Sequence, residues 1–158
     1  MIDFERAKAA FEEYLKDYDR EDDKIRLKIV HTYYVVDCVE NIARRMGLSV
    51  EERKLGMLIG LLHDIGRFEQ IKRYDSFMPD TMDHAAYGAA LLFGKKKEIR
   101  RFIKDDRWDA VIETAIAKHS DFRLEGVEGE QALLHARLIR DADKLDNCRV
   151  KLEESLET

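Results

Sequence analysis

Apolar residues recur every three or four positions along most of the chain, the spacing that places them on one face of an α-helix. The first such stripe begins at Phe4 and continues to Tyr18. A longer stripe predicts a second helix over 22–46, and Gly47 is suited to end it. No alternating strand pattern extends over more than four residues. The pattern therefore favours an all-α fold.

Further helices follow in the same pattern. Ser49 and Glu52 form an S-x-x-E capping box, which predicts the start of a third helix that ends near Gly66. The other helices are predicted over 83–93, 98–103, 107–118 and 131–142, and from 143 to the C-terminus, with an acidic loop over 122–130. We expect one helical-bundle domain over 1–158, with its core motif region at about 22–150. Two alternatives stay open for its last helix: it continues in a longer natural chain, or it packs on a partner subunit of a homo-oligomer.

Composition narrows the functional class. The 158 residues are 45% hydrophobic and 39% charged, which is typical of a globular protein, and the net charge is −5. An acidic chain without a basic patch is not expected to bind nucleic-acid polymers or anionic membranes. No apolar run approaches the roughly 20 residues of a membrane-spanning helix. Cys38 and Cys148 form no disulfide or zinc-ribbon spacing, so we expect a cytoplasmic location.

Several histidines and aspartates occupy apolar helical faces or helix ends, where burial is costly unless they are paired or bind a metal. Facing helices can bring such side chains together around an ion. The candidates are His31, His63, Asp64, His84, His119 and Asp143. Each has a simpler interpretation: His31 as a core histidine, Asp143 as the N-cap of the last helix, His63 and Asp64 as a histidine beside a solvated acid at a helix end, and His84 and His119 as surface histidines.

The order of these residues resembles the H…HD…D signature of the HD superfamily of metal-dependent phosphohydrolases. The strings LLHDIGR and DADKLDN carry the resemblance, which extends from His31 to Asn147. It implies that His31, His63, Asp64 and Asp143, rather than Asp141 or Asp146, bind a first divalent metal.

Two further positions resemble the binuclear members of the superfamily. DHAAYGAALL and IAKHS place His84 and His119 as ligands of a second ion, which implies that Asp64 bridges the two. His and carboxylate ligands suit Mn²⁺, Fe²⁺, Co²⁺, Ni²⁺ or Zn²⁺. His135 matches no position of the family, and we expect it to be structural or exposed.

Arg67 follows the His-Asp pair where many relatives carry a lysine that reaches substrate phosphate. Arginine suits bidentate phosphate binding, but it also occurs as an ordinary charge at a helix end. Lys118 and Lys144 are expected to be solvated. Phe77 and its apolar neighbours are expected to pack over the site, with a lid that stacks on a base as the alternative.

The resemblance implies an enzyme that hydrolyses a phosphate ester, with a nucleotide as the expected substrate, by means of metal-activated water and with Asp64 and Arg67 as catalytic residues. Two alternatives are a di-iron oxygenase of the same superfamily and a non-catalytic signalling module that only binds a ligand. The complete ligand set argues against the module.

Overall fold

The structure, a computed structural model, describes residues 1–157 and the side chains of residues 1–153. Every regular element in that part of the chain is helical, which confirms the all-α prediction. The elements are α1 (Phe4–Leu15), α2 (Asp23–Arg45), α3 (Val50–Leu62), α4 (Ile65–Tyr74), α5 (His84–Phe93), a 3₁₀ helix (Glu98–Arg101), α6 (Asp109–Lys118) and α7 (Glu130–Glu157). Thr158, the end of the last predicted helix, lies outside the described residues.

Polar caps fix the start of three helices where the sequence predicts them. The carboxylate of Asp22 accepts hydrogen bonds from the first turn of α2, and Asp83 does the same for α5. Ser49 Oγ accepts from the backbone N–H of Glu52 at the start of α3. Glu52 does not complete a capping box, because its carboxylate contacts Gln131 and His135 on α7 instead.

The last two predicted helices are one. No break occurs at Asp143, which lies in the middle of α7, so the junction and N-cap interpretations of this residue are wrong. The reason is compositional: residues 130–157 contain neither glycine nor proline and are rich in residues that favour helix. The predicted helix over 98–103 is only a short 3₁₀ turn at Glu98–Arg101, as is common in connectors.

The region after α3 also differs from the prediction. α3 ends at Leu62, not near Gly66, and a new helix, α4, begins at Ile65. The hydrophobic pattern does not predict α4. Gly66 lies inside its first turn, where a Cβ atom would be 2.1 Å from the carbonyl oxygen of His84. This glycine therefore permits α4 and α5 to approach closely rather than ending a helix.

The core lies around α2, which packs against α3 and α7, while α6 packs against α7 and α5 packs against both α4 and α6. Fully buried side chains such as Val35, Leu58, Phe68 and Ile116 fill the space between these helices. The packing brings the middle of α2 and α7, the α3–α4 junction, the start of α5 and the end of α6 to one place.

Candidate metal centre

The residues predicted as ligands meet at this place. Each comes from a different part of the fold, and all are buried except Asp143, which is half-buried. The contributors are His31 of α2, His63 and Asp64 between α3 and α4, His84 at the start of α5, His119 at the end of α6, and Asp143 of α7. Residues more than one hundred positions apart in the sequence thus form one cluster.

Four of these residues form a first ligand group. His31 Nε2 lies 2.9 Å from Asp143 Oδ1, 3.3 Å from Asp64 Oδ2 and 3.3 Å from His63 Nε2. His63 Nε2 lies 3.4 Å from Asp143 Oδ1. Two ligand atoms that each lie about 2.1 Å from one ion are about 3.0–3.4 Å apart at octahedral or tetrahedral angles. The group therefore has the spacing of a coordination shell.

A second group shares Asp64. His84 Nε2 and His119 Nε2 are 3.1 Å apart, and they lie 3.4 and 3.2 Å from Asp64 Oδ1. The other oxygen of this carboxylate, Oδ2, faces the first group. The two groups can each hold an ion, with Asp64 between them.

Backbone carbonyls orient two of the histidines. The Nδ1–H of His63 donates to the carbonyl of Gly60 at 2.6 Å, and that of His119 donates to Ile116 at 2.7 Å. Because a carbonyl can only accept, Nδ1 carries the proton and a neutral ring presents its Nε2 lone pair to the cluster. Histidines that bind a metal through one ring nitrogen typically have the other nitrogen held by such a hydrogen bond.

A buried carboxylate orients His31. Asp146 Oδ2 lies 2.6 Å from His31 Nδ1, while Arg149 donates from Nε to Asp146 Oδ1 at 2.7 Å. Sequence reasoning set Asp146 aside as a direct ligand and missed its role behind one. The signal is its position three residues after Asp143, on the same face of α7.

The donor set fits a divalent cation. Pairs of Nε2 atoms approach to 3.1 and 3.3 Å. Neutral imidazoles placed in this way direct lone pairs at each other, which is unfavourable unless a proton or a cation lies between them. Nitrogen and carboxylate oxygen donors without thiolate suit the first-row transition metals.

The charges of the cluster also favour a cation. Burial raises the pKa of the Asp64 carboxyl, but Lys28 and the surrounding histidines more than offset this and hold it well below its usual range. Burial lowers the pKa of His31, yet hydrogen bonds to Asp143 and Asp64 raise it overall to about 9. For His84 burial prevails, and its pKa is lowered. Burial raises the pKa of the Asp143 carboxyl, but hydrogen bonds from His31 and His63 lower it overall, so both carboxylates are ionised at neutral pH.

Lys28 is a site residue that sequence reasoning missed. Its Nζ lies 3.0 Å from Asp64 Oδ2, and its side chain is only 12% exposed. The signal is its position three residues before His31, on the same face of α2.

A cavity of about 370 Å³ opens over the cluster. The ligands Asp64, His84, His119 and Asp143 line it, together with the cationic side chains of Lys28, Arg67 and Lys144. Its volume lies in the range of small-molecule sites.

Arg67 lies at the edge of the cavity. Its Nη1 donates to Gln70 Oε1 at 2.8 Å and to the carbonyl of Phe77 at 3.0 Å.

His135 is buried away from the cluster, with its Nε2 2.5 Å from Glu52 Oε2.

The comparisons with known proteins fit this geometry. A family model described as the HD domain matches residues 29–148. The chain belongs to the HD domain family. Members of this family are generally metal-dependent phosphohydrolases. A search of curated proteins and a search of solved structures each found no match. Among the described helices, none has the length and apolar character needed to cross a membrane.

Proposed function

We propose that this HD domain is a metal-dependent phosphohydrolase that cleaves a small-molecule phosphate ester, such as a nucleotide, with metal-activated water. The observation that carries the proposal is the pair of ligand groups that share Asp64 at the floor of a cavity with cationic walls. Metal ligands alone would suit many reactions, but the cations beside them suit an anionic substrate.

Each ligand has a role in the proposal. His31, His63 and Asp143 would hold a first ion, His84 and His119 would hold a second, and Asp64 would contribute to both. Ions bound there would supply an activated water as nucleophile at neutral pH and would polarise the phosphoryl oxygens. Asp146 keeps His31 in the required tautomer by accepting its Nδ1–H.

Basic side chains would receive the phosphate. Lys28 of α2, Arg67 of α4 and Lys144 of α7 all line the cavity, and Arg67 also contacts the loop after α4. Two hydrogen bonds hold one amino group of Arg67 in place, so the guanidinium is ordered before the substrate arrives. Ordered cations can stabilise the charge that develops on a phosphoryl group without first reorganising.

The proposal also covers the location of the protein, its class of substrate and its assembly. We infer a cytoplasmic protein, because Cys38 and Cys148 are both free thiols, as is usual in a reducing compartment. The expected substrate is a small molecule rather than a nucleic-acid polymer. Assembly into a homo-oligomer stays a prediction.

The test combines elemental analysis with an activity screen. The purified protein is analysed for first-row metals, stripped with a chelator, and reloaded separately with Mn²⁺, Fe²⁺, Co²⁺, Ni²⁺ or Zn²⁺. Phosphate release is then measured from nucleotides and simple phosphate esters. We expect no release from the stripped protein and recovery with at least one metal.

The alternative functions give different results in the same test. Oxygen consumption by the iron-loaded protein without phosphate release would favour the di-iron oxygenase. Failure to bind any of the metals would overturn the proposal and favour a module that only binds a ligand.

A further inference from the structure

A second cavity adjoins the one over the metal centre. It has a volume of about 330 Å³, and we call it the side chamber. It is lined by Arg67, Phe77, Pro79, Met82, Asp83, His84 and Ser120. Arg67, His84 and Ser120 also line the metal-centre cavity, so the two spaces share a wall. A ligand whose phosphate lies at the metal centre has this chamber directly beside it.

The loop over 75–83 forms the apolar wall of the side chamber, and Gln70 of α4 holds that loop from behind. Gln70 is completely buried. Its Nε2 donates to the carbonyl of Met78 at 3.1 Å and to Thr81 Oγ1 at 3.0 Å, and it lies 3.4 Å from the carbonyl of Met82. One side chain thus engages polar groups at three positions of the loop.

Two other polar groups of the loop are also hydrogen-bonded within the protein. The carbonyl of Phe77 accepts from Arg67 Nη1, and the carboxylate of Asp83 accepts from the backbone N–H of Ala86. Pro79 has no N–H to offer. The loop therefore presents the chamber with apolar surface from Phe77, Pro79 and Met82, and Asp83 is the polar residue that it adds to the lining.

The ring of Phe77 lies beside the cations of the metal centre. Lys28 Nζ is 5.4 Å from the centre of the ring, and the Arg67 guanidinium is 5.6 Å from it. The cations that would bind a phosphate therefore adjoin the apolar wall of the side chamber.

We propose that the side chamber binds the organic group of the phosphate ester, and that this group is an aromatic ring, a nucleobase included, rather than a polyhydroxylated chain. Phe77 is the contact residue, and Gln70 is a positioning residue that acts through the loop. The inference rests on the proposed function of the metal centre. Hydroxyl groups would lose their hydrogen bonds to water against this wall, whereas an aromatic ring gains from both burial and ring contact.

The test compares two ligands that cannot be hydrolysed. Phenylphosphonate and methylphosphonate carry the same anionic head, so the ratio of their dissociation constants isolates the contribution of the ring. Both are titrated calorimetrically into the metal-loaded protein. We expect phenylphosphonate to bind about ten-fold more tightly than methylphosphonate.

Substitutions in the loop test whether it causes the preference for phenylphosphonate over methylphosphonate. Phe77→Ala is expected to reduce the ratio about five-fold, whereas Phe77→Leu, which keeps an apolar side chain, reduces it less. Met78→Ala is the matched control: Met78 is in the same loop, is 60% exposed and does not line the side chamber, so the ratio should not change.

Three results would overturn the inference: equal binding of the two phosphonates, binding of neither, or a preference that Phe77→Ala leaves intact. A parallel assay of 4-nitrophenyl phosphate hydrolysis tests the proposed function separately. A protein that prefers phenylphosphonate but releases no phosphate under any metal would contradict the hydrolase and leave the aromatic site standing.

Discussion

The two ligand groups that share Asp64 are built in different ways. In the first, His31 and Asp143 project from the middle of the long helices α2 and α7, and only His63 lies at a helix end, that of α3. In the second, His84 is the first residue of α5, and His119 caps the end of α6. The first group also has the carboxylate of Asp146 behind it, whereas the Nδ1 of His119 is held only by a backbone carbonyl.

This difference indicates a rigid first group and a more adjustable second one. Residues inside a helix are fixed by hydrogen bonds on both sides, whereas the last turns of a helix open at lower cost. His84 also borders the substrate cavities and keeps 8% of its surface exposed, against 1% for His31. We therefore expect the first ion to bind more tightly and the second to respond more strongly to changes around it.

Asp64→Asn removes the one ligand that both groups share, and we expect the largest effect from it. The variant should lose metal from both groups, and phosphate release should fall about 1,000-fold or more. Elemental analysis and an initial-rate assay measure the two effects, with circular dichroism as the check of folding. A folded variant that keeps two ions would show that Asp64 is not the bridge.

His84→Ala tests whether the two groups bind metal independently. It removes a ligand from the second group only, so we expect the metal content of a binuclear protein to fall from two ions to one. His119→Ala should have the same effect. An unchanged number of metal ions per protein in both variants would show that these histidines do not bind metal. Loss of both ions would show that the groups do not bind independently.

Gly66→Ala tests the second group through packing rather than through a ligand. The new methyl group would collide with the carbonyl of His84, so α4 and α5 must separate, at a cost of about 1–3 kcal/mol in the free energy of unfolding. We expect a lower Tm together with weaker binding of the second ion. An unchanged Tm with two tightly bound ions would contradict this.

Gly60→Ala is the matched control for that substitution. Gly60 lies in α3, and a Cβ atom there would be 3.4 Å from the Cα of Val36, an ordinary contact distance. Alanine also favours helix over glycine by about 1 kcal/mol. The control should therefore keep its Tm and both ions.

Local sequence patterns predict part of the fold and of the site. The periodic stripes of α2 and α5 predict these helices to within a residue or two, because a long apolar face and an aspartate cap act together at Asp22 and at Asp83. The ligand residues can be proposed from their motifs, and the structure brings them together. Their roles as ligands stay a proposal.

What the sequence does not predict depends on contacts between distant segments. The break between Leu62 and Ile65 has neither proline nor glycine, and Gly66 just after it serves the approach of α5 rather than the end of a helix. The roles of Gln70 and Asp146 likewise depend on the loop and on the histidine that they contact in the folded chain. Local patterns do not identify such partners, although helical spacing does place Asp146 on the same face of α7 as Asp143.

Asp146→Asn tests what the carboxylate behind His31 contributes to the first group. An amide is a weaker acceptor for the His31 Nδ1–H, and it leaves Arg149 with Glu153 but without the charge of Asp146. We expect metal affinity of the first group to fall about 10–100-fold. Asp141→Asn, at an exposed position of the same helix, is the control and should bind metal normally. Equal metal affinities in the two variants would show that Asp146 does not contribute to metal binding.

The pH dependence of metal binding gives the mildest test of the first group. In the metal-free protein the carboxylates around His31 raise its pKa to about 9, so at neutral pH a proton must leave before the imidazole can bind an ion. The apparent dissociation constant should therefore increase about ten-fold for each pH unit below that value. The His84→Ala variant isolates the first group, and titration with Zn²⁺ against a competing chelator between about pH 6.5 and 8.5 covers the range. A dissociation constant independent of pH would show that His31 is already neutral, and that its carboxylate neighbours do not charge it.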